Sequence, residues 1–333
     1  MNRRKSIIYT SIFVLIIAVL AGSTLSLRSC FSTTISRTFF AADTVCTITV
    51  YDGEESALDG AIDLCNELAS KFSCKDEGSE LSQLNKSGKT DKPSDDLLDI
   101  LNKGLYYSNL KDGIFDITVK PISDLWDFKN GTMPDSKSIA AALPKVGYKN
   151  ISIRNNEITL KNGAEIDLGA IAKGYIADRI SDFLTKNGVK SAIVNLGGNV
   201  TTIGKKGNEE FAVGIQTPFE DGIAATVKCT DMSVVTSGIY QRYFKKGNEI
   251  YHHLLNTKTG YPEQNELNSV TIISPSATNA DALSTLCFLL GAEKGMELIE
   301  QKENTEAVFI DKNNKLILSS GLKQNGSLIE MNK

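Results

Sequence analysis

Residues 164–198 read Ala-Glu-Ile-Asp-Leu-Gly-Ala-Ile-Ala-Lys-Gly-Tyr-Ile-Ala-Asp-Arg-Ile-Ser-Asp-Phe-Leu-Thr-Lys-Asn-Gly-Val-Lys-Ser-Ala-Ile-Val-Asn-Leu-Gly-Gly. Ala164–Leu168 has the look of a short strand that passes through Gly169 into a helix. That helix is carried by Ala172, Ile176, Ile180, Phe183 and Leu184, which recur at helical spacing. Lys186-Asn187-Gly188 closes it as a C-terminal cap does. Ser191–Leu196 then returns as a strand and runs into Gly197-Gly198.

Outward toward the N-terminus, Cys46, Ile48 and Val50 alternate with Thr47, Thr49 and Tyr51, which predicts a half-buried strand over 44–51. Leu58, Ile62, Cys65, Leu68, Ala69 and Phe72 predict an amphipathic helix over 56–72. Ser94 can cap a second helix carried by Leu97, Leu98, Leu101 and Leu105. Ile151, Ile153, Ile158 and Leu160 flank Asn155-Asn156, a hairpin signal. Toward the C-terminus, Val270–Ile273 predicts a strand, Asn279–Leu290 a helix stopped by Gly291, and Ala307–Ile310 with Leu316–Leu318 a second hairpin. Hairpins beside helices exclude a purely parallel sheet and give an α+β class.

The chain has 333 residues, 41% hydrophobic and 23% charged, with a formal net charge of −4. That balance excludes a disordered or fibrous chain, and its mild acidity argues against a nucleic-acid partner. Two histidines are present and adjacent, His252 and His253, so no His-rich metal site can be built. Six cysteines at 30, 46, 65, 74, 229 and 287 form no CxxC pair or zinc-like spacing. Cys46, Cys65 and Cys287 fall within apolar patterns and read as buried thiols.

Arg3, Arg4 and Lys5 precede an apolar run from Ile7 to Leu20, the pattern of an export signal. Extended to Leu27 the run is also long enough for an uncleaved membrane anchor. Leu27-Arg28-Ser29-Cys30 resembles a lipid-attachment site. Residues 1–30 are therefore read as a signal peptide or membrane anchor and 38–333 as one domain outside it. The basic start predicts an extracytoplasmic domain attached to the cell membrane through its N-terminus.

Asp281 and Thr285 lie four apart on the predicted helix and share a face near its N-terminus. A carboxylate and a hydroxyl without Cys or His suit a hard ion such as magnesium. Asp281 could equally complement the helix dipole while Thr285 meets solvent. Asp167–Gly174 places an acid before a helix and Lys173 in its first turn, with small residues that admit a ligand near backbone. It can cradle phosphate or be a glycine-lined turn with solvated charges; it is neither a Walker loop nor a dinucleotide-binding fingerprint. Gly113-Ile114-Phe115-Asp116, Asn195–Asn199, Thr236-Ser237-Gly238 and Tyr251–Gly260 complete the set.

In this order and spacing, Gly113–Asp116, Asp167–Asp178, Asn195–Gly198, His253–Gly260 and Ala280–Thr285 resemble the FAD:protein FMN transferase family, the ApbE family, from about Phe39 to Gly291. The resemblance implies an α+β fold of mixed or antiparallel sheets with packed helices, ApbE-like and T-fold-like. It implies a magnesium-dependent enzyme that takes FAD, attaches FMN through a phosphodiester to a Thr or Ser of an acceptor flavoprotein, and releases AMP. By matching motif, Asp281, Thr285 and the backbone carbonyl of Ala170 resemble the Mg2+ ligands. Ile114, Phe115, Asp116, Asp167, Lys173 and Leu255 match flavin-nucleotide contacts, and His253 matches the histidine that assists transfer.

Four positions depart from the family pattern. Asn256-Thr257 replaces Asp-Pro, Ala41-Ala42-Asp43-Thr44 lacks the common Met-Gly, Lys75 stands where an aromatic often stacks, and Ser284 occupies a position that is acidic in some members. The family's acceptors resemble Asp-x-x-Thr-x-Ala-Thr. Ser276-Ala277-Thr278 lacks the acid, so self-modification is not expected. An FAD pyrophosphatase that needs no acceptor and a non-catalytic flavin-binding lipoprotein are the alternative readings.

Overall fold

The computed structural model describes residues 34–332; the signal or anchor region and Cys30 lie outside the described residues. Strands β1 (Ile35–Ala41) and β2 (Thr44–Val50) form a hairpin through Ala42 and Asp43, both with left-handed backbone. Helices α1 (Glu55–Lys71) and α2 (Glu80–Ser87), strand β3 (Lys89–Thr90) and helix α3 (Asp95–Leu110) follow. The short helices α4 (Lys120–Ser123) and α5 (Ser136–Ala142) lead to the hairpin β4 (Ile151–Arg154) and β5 (Glu157–Leu160).

Helix α6 (Ala172–Lys186) precedes β6 (Ala192–Leu196), β7 (Asn199–Ile203), β8 (Phe211–Gln216) and β9 (Ile223–Cys229). Then come β10 (Ser233–Gly238), β11 (Tyr243–Lys246), β12 (Glu249–His252) and β13 (Leu267–Ser274). Helix α7 (Ala277–Ile299) is followed by β14 (Glu306–Asp311), β15 (Leu316–Leu318), β16 (Leu322–Asn325) and β17 (Leu328–Met331).

Eight strands form one antiparallel sheet in the order β1-β2-β6-β7-β10-β13-β14-β15. A four-stranded sheet, β16-β17-β9-β8, contains the parallel pair β17–β9, so the architecture is mixed as well as antiparallel. The large sheet is covered on both faces. Ile48, Val194, Val270, Ile272 and Phe309 pack with residues of α1, α6 and α7 in one core. Val234, Ile273, Val308 and Ile310 point the other way, against Val213, Val227 and Ile329 of the four-stranded sheet. This explains why every residue of β13 is buried: both of its faces are core.

Helices α1 and α6 form within a residue or two of their expected ends, because their apolar stripes pack against the large sheet. In α1 the buried positions are Ala57, Leu58, Ala61, Cys65 and Leu68. Asn155 and Asn156 both take positive φ, the backbone a two-residue hairpin needs. Cys46, Cys65 and Cys287 are buried free thiols. Gly291 sits inside α7 at φ 79° and ψ 175°, so the α-helix is broken there as expected, and a second helical stretch resumes beyond it.

One expected element does not form. Ala164–Leu168 is not a strand; it contributes one isolated bridge, Glu165 to Val119. Its backbone is satisfied by a side chain instead. The Asn85 carbonyl oxygen accepts from Ile166 N at 2.7 Å and its amide donates to Ile166 O at 2.8 Å. Asp167 N donates to Ile117 O at 2.8 Å. A carboxamide has the donor–acceptor pair of a peptide unit and here stands in for a neighbouring strand.

Candidate active site

The site forms where α6 starts beside the first turns of α7. Gly174 permits that approach: a Cβ there would lie 2.2 Å from the Ala277 carbonyl oxygen and 2.7 Å from Asp281 Cβ. In a helix's first turn the backbone N–H has no intrahelical acceptor. Gly174 N therefore donates across to Asp281 Oδ2 at 2.9 Å. The Asn199 amide donates to Oδ1 at 3.0 Å, and Lys173 Nζ stands 3.7 Å from the same oxygen. Asp281 is 3% exposed, so this buried charge is held by two hydrogen bonds and a nearby cation.

Asp178, one turn along α6, fixes the same junction. Its carboxylate accepts from Ala277 N at 2.7 Å, Thr278 N at 2.9 Å and the hydroxyls of Ser276 and Thr278. It thus caps α7 from a neighbouring helix, in addition to Ser276, which accepts from Asn279 N.

Thr285 is buried, not solvent-facing, and joins a hydroxyl chain. Ser237 Oγ lies 3.1 Å from Thr285 Oγ1 and 2.8 Å from Ser284 Oγ. Ser284 Oγ also donates to the Asp281 carbonyl at 2.8 Å. Ala170 lies in the turn between Asp167 and α6, four residues before Gly174.

The turn at 113–116 lies beside the histidine-bearing loop. Thr257 Oγ1 donates to the Gly113 carbonyl at 2.6 Å. Phe115 and Asp116 are buried, and Ile114 packs at the edge of the core. The Asp116 carboxylate accepts from Thr118 N at 2.8 Å, Thr118 Oγ1 at 2.6 Å and Tyr148 N at 2.7 Å. Burial pushes its pKa up while those bonds oppose the rise. Asp167, half-buried, accepts from Gly169 N at 2.8 Å and Ser123 Oγ at 3.2 Å. Leu255 is buried in a separate apolar cluster around Trp126.

The two histidines have different surroundings. His252 is 2% exposed; its Nε2 donates to the Glu263 carbonyl at 2.9 Å, and its ring meets Phe288 edge-on. Burial depresses its pKa to about 4. His253 is half-buried, with Nδ1 3.4 Å from the Arg242 carbonyl, which makes Nδ1 the protonated nitrogen and leaves Nε2 a free lone pair. Burial first, then the charges of Arg242, His252 and Lys173, hold its pKa down to about 3.

The structure therefore brings Lys173 and Asp281 into contact, sets His253 within the field of Lys173, and ties the His253 loop to the 113–116 turn. Sequence reasoning missed Gly174, Asn199 and Asp178 as organisers of Asp281. Their signal was present as motif members, but nothing in one dimension shows that the end of Gly197-Gly198-Asn199 reaches a helix more than eighty positions away. Two clefts, of about 420 and 500 Å³, flank α3 and contain none of Asp281, Lys173 or His253. Among the described residues no group of three or more His, Cys, Asp or Glu side chains could hold a metal ion. Asp281 and Thr285, one turn apart on α7, offer hard oxygen donors with a single carboxylate between them, a chemistry that fits an ion whose remaining ligands are backbone carbonyl, water or phosphate.

Residues 42–309 match the model of the ApbE family. The chain is 40% identical over 220 residues to an FAD:protein FMN transferase of Klebsiella pneumoniae (strain 342), covering 64% of this chain and 68% of that protein. It is 31% identical over 315 residues to one of Treponema pallidum (strain Nichols), covering 86% and 87%. The fold superposes on the crystal structure of the ApbE protein of Thermotoga maritima with a TM-score of 0.80 at 29% identity, covering 86% of this chain and 97% of that one. It superposes on the apo flavinyl transferase ApbE of Pseudomonas stutzeri with a TM-score of 0.77 at 26% identity, covering 86% and 95%. With a family match over most of its length and these relatives on both sequence and fold, the chain belongs to the ApbE family.

Proposed function

We propose that this chain is an FAD:protein FMN transferase acting outside the cytoplasm, held at the membrane by its N-terminus, with residues 38–333 as its catalytic domain. The observation that carries the reading is the buried Asp281 carboxylate, fixed by Gly174 N–H and the Asn199 amide beside Lys173, in a chain whose relatives bear that name. In the reaction, a Thr or Ser hydroxyl of the acceptor protein attacks the FMN-side phosphorus of FAD. A P–O bond forms to the acceptor, the P–O–P bond to the adenylate half breaks, the hydroxyl proton passes to a base, and AMP leaves.

Asp281, Thr285 and the Ala170 carbonyl would hold Mg2+, which when bound neutralises charge on the pyrophosphate oxygens. Lys173 supplies a second fixed positive charge at the same place. His253 presents an unprotonated Nε2 at working pH and is the candidate acceptor of the hydroxyl proton. Burial is the larger cause of its low pKa; the smaller, positive contribution of Arg242 and Lys173 is what an anionic pyrophosphate would offset. Ile114, Phe115, Asp116, Asp167 and Leu255 complete the proposed flavin-nucleotide pocket. With its carboxylate saturated, Asp116 is suited to shaping that turn.

The test uses the purified full chain with FAD, magnesium chloride and an acceptor domain bearing the Asp-x-x-Thr-x-Ala-Thr pattern. Mass spectrometry should show the acceptor gaining one FMN with release of one AMP, and Asp281→Ala should abolish the magnesium-dependent gain. AMP formed at full rate without acceptor would replace the reading with an FAD pyrophosphatase. Intact FAD after long incubation would leave a flavin-binding protein.

A further inference from the structure

Trp126 is the one tryptophan of the chain, and it stands far from the Asp281 cluster in sequence. It is 6% exposed, just beyond α4, in the segment that continues from the 113–116 turn. Its ring stacks on Tyr251 at 6.0 Å between centroids and on Phe128 at 5.7 Å. Tyr251 stacks in turn on Phe244, its cross-strand partner in the β11–β12 hairpin, at 5.3 Å. On the other side, Trp126 Nε1 donates to the Gly260 carbonyl at 3.0 Å. Tyr251 and Gly260 bracket one segment, and His253 lies on it.

Besides the indole, the bracketed loop meets the body through His252, whose ring packs edge-on against Phe288, through Leu254 in the main core, and through Thr257 Oγ1, which donates to the Gly113 carbonyl. Its internal bonds run from Asn256 N to Tyr261 O and from Glu263 N to Leu254 O, so they shape the loop without locating it. His253 N and Nδ1 both face the Arg242 carbonyl, at the base of the same β11–β12 hairpin. The hairpin pairs only within itself and is absent from the large sheet. The loop's contacts with the body fix its backbone beside His253, and the orientation of the segment against the hairpin depends on what joins the two. An indole suits that task because it offers a large flat face for stacking and one directed donor at its edge.

We infer that Trp126 is a positioning residue for the transfer reaction: one indole pins both flanks of the His253 segment, by stacking on Tyr251 before it and by donating to Gly260 after it. The inference rests on the assignment of His253 under the proposed function. Loss of the indole lets the imidazole drift from the acceptor hydroxyl while the Asp281 cluster, on α6 and α7, stays in place. A misplacement of about 1 Å costs up to about 100-fold in rate.

The test compares Trp126→Leu, which removes both contacts, with Trp126→Phe, which keeps a stacking face and removes the donor. Each is made in the otherwise native chain and in His253→Ala, and FMN transfer is followed with FAD, magnesium and the patterned acceptor domain. Trp126→Leu should lower kcat about 10- to 100-fold with KM for FAD within about twofold, and Trp126→Phe should fall between it and the native chain. In the His253→Ala background the same substitutions should change kcat by less than about twofold, since two residues acting as a unit are not additive. Amide hydrogen exchange over 253–260 should speed up while exchange in the first turns of α7 is unchanged.

An equal loss in both backgrounds, or a folded Trp126→Leu chain with native kcat and native exchange over 253–260, would overturn the inference. If Trp126→Leu does not fold, Trp126→Phe is read by the same criteria. If the native chain transfers no FMN, the reaction assignment fails, and the exchange measurement still decides whether the indole holds the loop.

Discussion

At the scale of single residues, the histidine pair divides into one buried support and one group at the site. Removing the proposed base, His253→Ala, should lower transfer about 10²- to 10⁴-fold while FAD binding, measured by fluorescence titration, is retained. His252 makes a separate prediction about stability. Its native pKa of about 4 lies below the unfolded value of 6.5, so between those values the unfolded chain binds more protons. Stability therefore falls as pH falls through that window, by about 2 kcal/mol from pH 7 to pH 5 for this one group. His252→Gln keeps a donor for the Glu263 carbonyl and has no proton to gain. Urea titrations at both pH values should show the variant missing that extra loss, and identical pH dependence in the two chains would refute the assignment.

Three of the positions that depart from the family resemblance have contacts of their own. Asn256 replaces an aspartate, yet its Oδ1 still accepts from Lys258 N at 2.8 Å and Thr259 N at 3.2 Å, a turn that needs a carbonyl oxygen and no charge. Thr257, in place of proline, adds the hydroxyl that reaches Gly113. Lys75 and Asp43, from two separate departures, form an exposed ion pair with each other at 2.6 Å.

At the scale of elements, the decisive contact is between α6 and α7. Gly174→Ala would force the Ala277 carbonyl and the Asp281 side chain apart, and overpacking of this kind costs about 1–3 kcal/mol. We expect a lower Tm by calorimetry and, because the methyl displaces Asp281 itself, a weaker response of activity to magnesium. A Gly174→Ala chain with native Tm and native magnesium dependence would show that the helices have room to spare.

The helices were legible in the sequence because their apolar stripes are one-sided and their caps lie within a few residues. The strands from 199 to 252 were much less so. β7 and β10 bury Thr201, Thr202, Ser233 and Ser237, pairing hydroxyls such as Thr201 with Ser233 at 2.9 Å, so hydropathy does not mark them as core. Ala164–Leu168 failed in the opposite direction: its pattern is strand-like, but its partner is the Asn85 side chain, which no local periodicity reveals. The motifs of the site could be read, whereas the contacts that unite them, such as Asn199 with Asp281, belong to the folded chain alone.

At the scale of the molecule, β10, β13 and β14 lend one face to each of two cores. Val235, Ile272 and Phe309 serve the helical side, while Val234, Ile273 and Ile310 serve the side of the small sheet. Ile273→Ala, fully buried in the second core, should cost about 2–5 kcal/mol. Because the strands are shared, the loss should appear as a single calorimetric transition moved to lower temperature. Two separated transitions would show that the cores melt independently.

The order of the large sheet also sets when the protein can finish folding. β2 pairs with β6, Cys46 opposite Leu196, and the strands that complete the sheet come after Leu267. Strands β1, β2, β6, β7 and β10 can pair once Gly238 is available, but β10 gains its other neighbour only from Leu267–Ser274, so the sheet is completed late in the chain. A nascent chain emerging in sequence therefore carries β10 as an unpaired edge until the strand at Leu267–Ser274 arrives to cover it.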